Sequence, residues 1–135
     1  VVHIAPDGTV TDVWTGLTTV TDVAVGADGA LYALEMSTGN LSEPPFLVPG
    51  SGRVVRQTGP DSMEEVATGL VLPVSMAFGA DGGLYVALPA AGADGGEGVI
   101  ARIDLAAAPV AEISGALEDD VMAAGCAQAP ALAAA

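Results

Sequence analysis

Apolar stretches of strand length recur along most of the chain, each broken by glycine, proline or aspartate. Val20–Val25 and Val74–Phe78 are β-branched or apolar runs, and Leu31–Leu34 and Leu84–Leu88 follow them after one short gap. The gap holds Asp28-Gly29 in the first case and Asp81-Gly82 in the second. Asp-Gly between two apolar runs predicts a tight hairpin. Glycine reaches positive φ without a Cβ clash, and the aspartate side chain accepts nearby backbone amides. Arg53–Gln57 and Val99–Asp104 predict a third strand after each hairpin. Val10–Val13 and Met63–Ala67 are more polar and predict outermost, more exposed strands.

These elements are copies of one another. Gly16–Glu35 aligns without gaps to Gly69–Leu88 at an offset of 53 residues, with 9 of 20 positions identical. The likeness extends backwards, where Val1–Leu17 parallels Val54–Leu70, and a third start appears at Gly98–Asp104. Four short strands per unit of roughly 40–50 residues is the arithmetic of a propeller blade. The expected fold is therefore all-β: a β-propeller segment of about two four-stranded antiparallel blades plus partial strands, an incomplete ring. The blades span 1–107, with repeat units about 1–53 and 54–107. Beyond them, 108–135 holds one further outer strand at Val110–Ile113 and then an Ala-rich, weakly ordered tail, where Leu117, Val121 and Met122 could share one face of a short helix. Two blades cannot close a ring, so closure needs the remaining blades of a longer protein or further copies. The opening residues, VVHIAPDG, carry no initiator Met, basic region or apolar signal core, and they too predict a piece of a longer polypeptide or a processed product.

Composition narrows the partners. The net charge is −14, with no lysine and only Arg53, Arg56 and Arg102 as cationic side chains. A basic footprint for nucleic acid is missing, and anionic membrane surfaces are disfavoured for the same reason. No apolar run reaches membrane-spanning length. One cysteine, Cys126, excludes a disulfide framework or a cysteine-rich zinc site within the chain. Cys126 follows Ala-Ala-Gly, but the acidic run Glu118-Asp119-Asp120 before it is the opposite of a lipidation signal. Nucleophile elbow, phosphate loop, His-based zinc motif and dinucleotide fingerprint are all missing from the sequence.

The strings PDGTVT, GLTTVTDVAVGADGALYALE, GRVVR, GLVLPVSMAFGADGGLYVA and GEGVIARI together resemble the C-terminal part of ScyD/ScyE family proteins. That resemblance covers about Val1–Leu105. It implies a six-bladed, NHL-like propeller of the TolB-like type, exported to the periplasm or the extracellular space, in a family without a settled activity. The motif Gly-x-Asp-Gly-x-Leu-Tyr is shared with gluconolactonase-like and strictosidine-synthase-like propellers. Ala27 and Ala80 stand where such motifs often carry proline.

Two functional readings follow. In the first, an uncharacterised ScyD/ScyE-like propeller binds a small molecule or protein through its blade loops without catalysis of its own. The loops are Met36–Ser51 and Pro89–Glu97, unequal in length at the same place in each unit. In the alternative, the chain belongs to a gluconolactonase-like metal-dependent hydrolase whose site is completed by other blades. Asp22 and Glu35 are then the ligand or metal candidates, for a cation such as Ca2+, and Ser75 is the counterpart of Asp22 in the second unit. Neither reading assigns a catalytic residue or a resident cofactor to this chain. Asp28, Gly29, Asp81 and Gly82 are expected to be structural turn residues. Asp94 in GADGGEG lacks the ligand series of a calcium loop. His3 aligns with Arg56 and predicts an exposed strand position. Trp14 is expected to cover part of an outer strand, and Arg56 and Arg102 to pair with acids between blades.

Overall fold

A computed structural model describes residues 1–91, 95–96 and 98–105. Among these, every regular element is a β-strand: β1 Val2–Ile4, β2 Val10–Asp12, β3 Val20–Val25, β4 Leu31–Glu35, β5 Gly52–Gly59, β6 Ser62–Leu70, β7 Ser75–Phe78, β8 Leu84–Leu88 and β9 Val99–Ile103. They pair antiparallel into three sheets: a hairpin β1-β2, a four-stranded sheet β3-β4-β5-β6 and a three-stranded sheet β7-β8-β9. The strands expected within the described residues are present. One sheet, not two, has four strands among the described residues. The strand expected at 110–113 and the tail through 135, with Cys126, lie outside them. The four-stranded sheet runs from Val20 to Leu70, so it draws two strands from each repeat unit.

Both hairpins with an Asp-Gly turn close in the same way. Gly26 N donates to Ala30 O at 2.9 Å and Gly29 N to Gly26 O at 2.9 Å; the second copy repeats this between Gly79, Gly82 and Gly83. These are three-residue loops ending in a left-handed glycine, φ +78° at Gly29 and +80° at Gly82. The first glycine of each motif serves a different need. A Cβ at Gly26 would stand 2.6 Å from both the Asp28 carboxylate and the Tyr32 ring. Gly-Ala-Asp-Gly is thus one steric device, open at its first position and left-handed at its last.

Strand alternation gives the four-stranded sheet two faces, one packed on the three-stranded sheet and one partly covered by Trp14. Tyr32, Leu34, Val54, Ala67 and Leu70 pack against Met76, Leu84, Val86, Leu88 and Ile103 of the three-stranded sheet. Ala33 and Val55 point the other way and meet Trp14, with Val1, Leu17, Leu31 and Met63 around them. Trp14 is 1% exposed. It lies just past the outer strand β2 and is buried against the next sheet. At about 25 cal/mol per Å2, an aromatic side chain buried this fully contributes several kcal/mol to holding hairpin and sheet together. The outer strands β1 and β2 are exposed along their length, His3 included.

Candidate functional site

The sequence-derived candidates are dispersed. Asp22 sits on β3 opposite Leu34. Its carboxylate accepts Val23 N at 2.8 Å and, across the gap between sheets, Met76 N of β7 at 2.7 Å. Both oxygens therefore join backbone to backbone, and the second ties the first strands of two sheets. Ser75, its repeat counterpart, is exposed on β7, opposite Ala87 of β8.

Glu35 is fully buried, at 0% exposure. Its carboxylate accepts Thr18 N and Arg53 Nε. Arg53 is its cross-strand partner on β5 and also reaches Glu65, at 2.7 Å, and the sulfur of Met63. Met63 belongs to the Trp14 side, whereas Asp22 reaches the Met76 side. Asp22 and Glu35 thus occupy opposite faces of one sheet and do not converge. Among the described residues no group of three or more His, Cys, Asp or Glu side chains is placed to hold a metal ion.

The turn aspartates do more than close their turns. Asp28 accepts Ala30 N at 3.1 Å, the Tyr32 hydroxyl at 3.2 Å and Arg56 Nε at 2.8 Å. Asp81 accepts Gly83 N at 3.2 Å, the Tyr85 hydroxyl at 2.9 Å and Arg102 Nε at 3.1 Å. Each cluster joins turn, second strand and third strand of a single sheet. The expectation that Arg56 and Arg102 pair between blades is therefore corrected. Their acids are Asp28 and Glu64 for Arg56, and Asp81 and Asp104 for Arg102, all within the sheet that carries the arginine or at its end. The reason is register: Tyr32 pairs with Arg56 and Tyr85 with Arg102, so each guanidinium lies beside its own hairpin turn. The Ala30 amide and then Arg56 hold Asp28 below the ordinary carboxylate value; the Tyr85 hydroxyl and then Arg102 do the same for Asp81. Burial, followed by the nearby Asp28 charge, raises Tyr32. Asp28, Tyr32, Arg56, Glu64, Asp104 and Leu105 line an open cleft of roughly 300 Å3 between the two larger sheets.

The loop between β4 and β5 carries the densest side-chain network among the described residues. Ser37 is fully buried and acts as its hub. Its hydroxyl accepts Val48 N at 2.8 Å and donates to Asn40 Oδ1 at 2.6 Å. Thr38 N donates to Ser51 Oγ at 2.9 Å, and Asn40 Nδ2 donates to Thr19 Oγ1 at 2.6 Å. A tighter turn inside the loop links Phe46 N to Glu43 O and Leu41 N to Phe46 O. With the base held, the tip presents Leu41 at 51% and Phe46 at 53% exposure. Phe46 is also in the left-handed region, φ 64°. The other non-glycine residues in that region among those described, Thr19 and Leu72, lie at the same end of the sheets and are repeat counterparts. There Met36 N donates to Thr19 O and Ala90 N to Leu72 O. Of the second loop, 89–97, residues 92–94 and 97 lie outside those described.

Reading the sequence alone missed the Glu35–Arg53 pair, the Ser37 hub and the tyrosine clamps. The clamps had a signal, since Asp, Tyr and Arg recur at matched places in both units. The hub had none, because the second unit lacks a loop of that length. No family model, no curated protein and no solved structure matches this chain.

Proposed function

We propose that the chain is a segment of an exported β-propeller of ScyD/ScyE-like type. In this reading it is a binding scaffold without catalysis of its own, and its loop end takes a small molecule or a protein through loops 36–51 and 89–97. Stacked, repeat-related antiparallel sheets support the propeller. One observation carries the binding reading: a loop fixed at its base by the buried Ser37 holds an aromatic and an aliphatic side chain out in water. Exposing Phe46 in a left-handed backbone costs about 1–2 kcal/mol, a strain that folding alone does not require. The side chains point to an apolar or aromatic ligand surface, and the chain's net charge of −14 disfavours an anionic one.

The test is a titration of 15N-labelled chain with small apolar and aromatic fragments. Chemical-shift changes are expected at the amides around Leu41 and Phe46, and Phe46→Gly, which keeps the backbone conformation, should abolish them. Shift changes confined to other parts of the chain, or unaffected by Phe46→Gly, would overturn the proposal.

A further inference from the structure

The outward face of the three-stranded sheet repeats a face that is covered elsewhere in the same molecule. Ser75, Ala77, Tyr85, Ala87 and Ile100 are the repeat counterparts of Asp22, Ala24, Tyr32, Leu34 and Val54. Leu34 and Val54 are fully buried under the three-stranded sheet, with Tyr32 and Ala24 beside them, whereas Ile100 is 67% exposed. At the other end of the stack the four-stranded sheet is only half covered. From the first hairpin segment only Trp14, with Val1 and Leu17 beside it, packs over Ala33 and Val55, which leaves Val23 at 42% and Val25 at 63% exposure on β3. Two inner strands would fill that gap. The three-stranded sheet begins with such a pair, β7 and β8.

We infer that this chain associates head to tail with a second copy of itself, the outward face of β7-β8 docking on Val23 and Val25 of the next copy. The interface already formed between the two larger sheets is the template. There the Phe78 ring stands edge-on to Tyr32, with centroids 5.1 Å apart. Val25 is the counterpart of Phe78, and Tyr85 the counterpart of Tyr32. In the joint, Val25 of the second copy therefore meets the Tyr85 ring. β9 of one copy and β1 of the next hold equivalent places in the repeat, so one of them yields the edge of β8. The contact is heterologous, with different surfaces on its two sides, and can propagate or close a ring. The inference rests on the stacking of sheets and not on the ligand-binding loops.

Sedimentation equilibrium of the whole chain tests it, at salt high enough to screen the negative charge. The weight-average mass should climb with concentration to at least twice that of the monomer. Ala77→Arg and Val25→Arg alter opposite sides of the contact at exposed positions, so each alone should be monomeric with an unchanged far-ultraviolet circular dichroism spectrum. Mixed in equal amounts, the two variants retain one intact pair of surfaces and should form a one-to-one dimer and nothing larger. A folded wild-type chain that stays monomeric overturns the inference. So does association that survives either substitution, or a mixture that stays monomeric.

Discussion

Glu35 and Arg53 face each other across β4 and β5, and the second sheet solves the same position without charge: Leu88 faces Val99 across β8 and β9. The molecule thus holds an ionic and an apolar version of one cross-strand pair. A buried pair offsets its desolvation only when both members are present, and removing one costs about 3–5 kcal/mol. Arg53→Val leaves the fully buried Glu35 with only the Thr18 amide and should fall in that range. Glu35→Leu leaves Arg53 with Glu65, and because the arginine is 23% exposed the loss should be smaller, about 2–3 kcal/mol. The double substitution copies Leu88 and Val99 and should lie within about 1 kcal/mol of wild type. The coupling energy is then at least about 4 kcal/mol, far above the few tenths expected for independent sites. Urea unfolding of the four proteins measures it. With a slope of about 1–3 kcal/mol per molar, each single substitution moves the midpoint by roughly 1 M or more while the double restores it. A double variant as unstable as the sum of the singles would refute the argument.

Three other outcomes are expected. Phe46→Gly removes a left-handed non-glycine worth about 1–2 kcal/mol but restores about 0.5–1 kcal/mol of chain entropy on unfolding, so the urea midpoint should hold or rise slightly. A drop beyond 1 kcal/mol would show that the ring packs. Gly52→Ala places a Cβ 2.7 Å from Leu70 O and 2.9 Å from Met36 O and should cost roughly 1–3 kcal/mol in the same measurement. Asp28 and Asp81 have folded values below the ordinary carboxylate value of about 3.9, so below that pH the unfolded chain binds more protons than the folded one. Their stabilisation is full above about pH 4 and falls as pH drops through the lowered folded values. Replacing both by asparagine should flatten that acid slope in pH-dependent thermal unfolding.

Strand positions were legible because their signals are local: alternating apolar residues, Asp-Gly turns and a gapless internal repeat. The separation of Asp22 from Glu35 was also within reach. Counting outward from the hairpin closed at Gly26 and Ala30 puts Asp22 opposite Leu34, and strand alternation then sends Glu35 to the other face. The Glu35–Arg53 pair was not legible, because it depends on how β4 and β5 register across the long loop between them. The ladder beyond it, β5 with β6, carries three register shifts that no residue pattern announces. The exposed tip of that loop was equally hidden. Leu41 and Phe46 are ordinary apolar residues in sequence, and their exposure follows from a loop base fixed by Ser37, Thr38, Asn40 and Ser51.

Trp14 belongs to the first hairpin by sequence but to the neighbouring sheet by contact, and it is the chain's one tryptophan. Its indole emission is therefore a gauge of a single joint. If the hairpin lifts away while the larger sheets stay together, the fluorescence shifts red ahead of any change in backbone signal. Partial opening of the stack can thus be followed optically without a label.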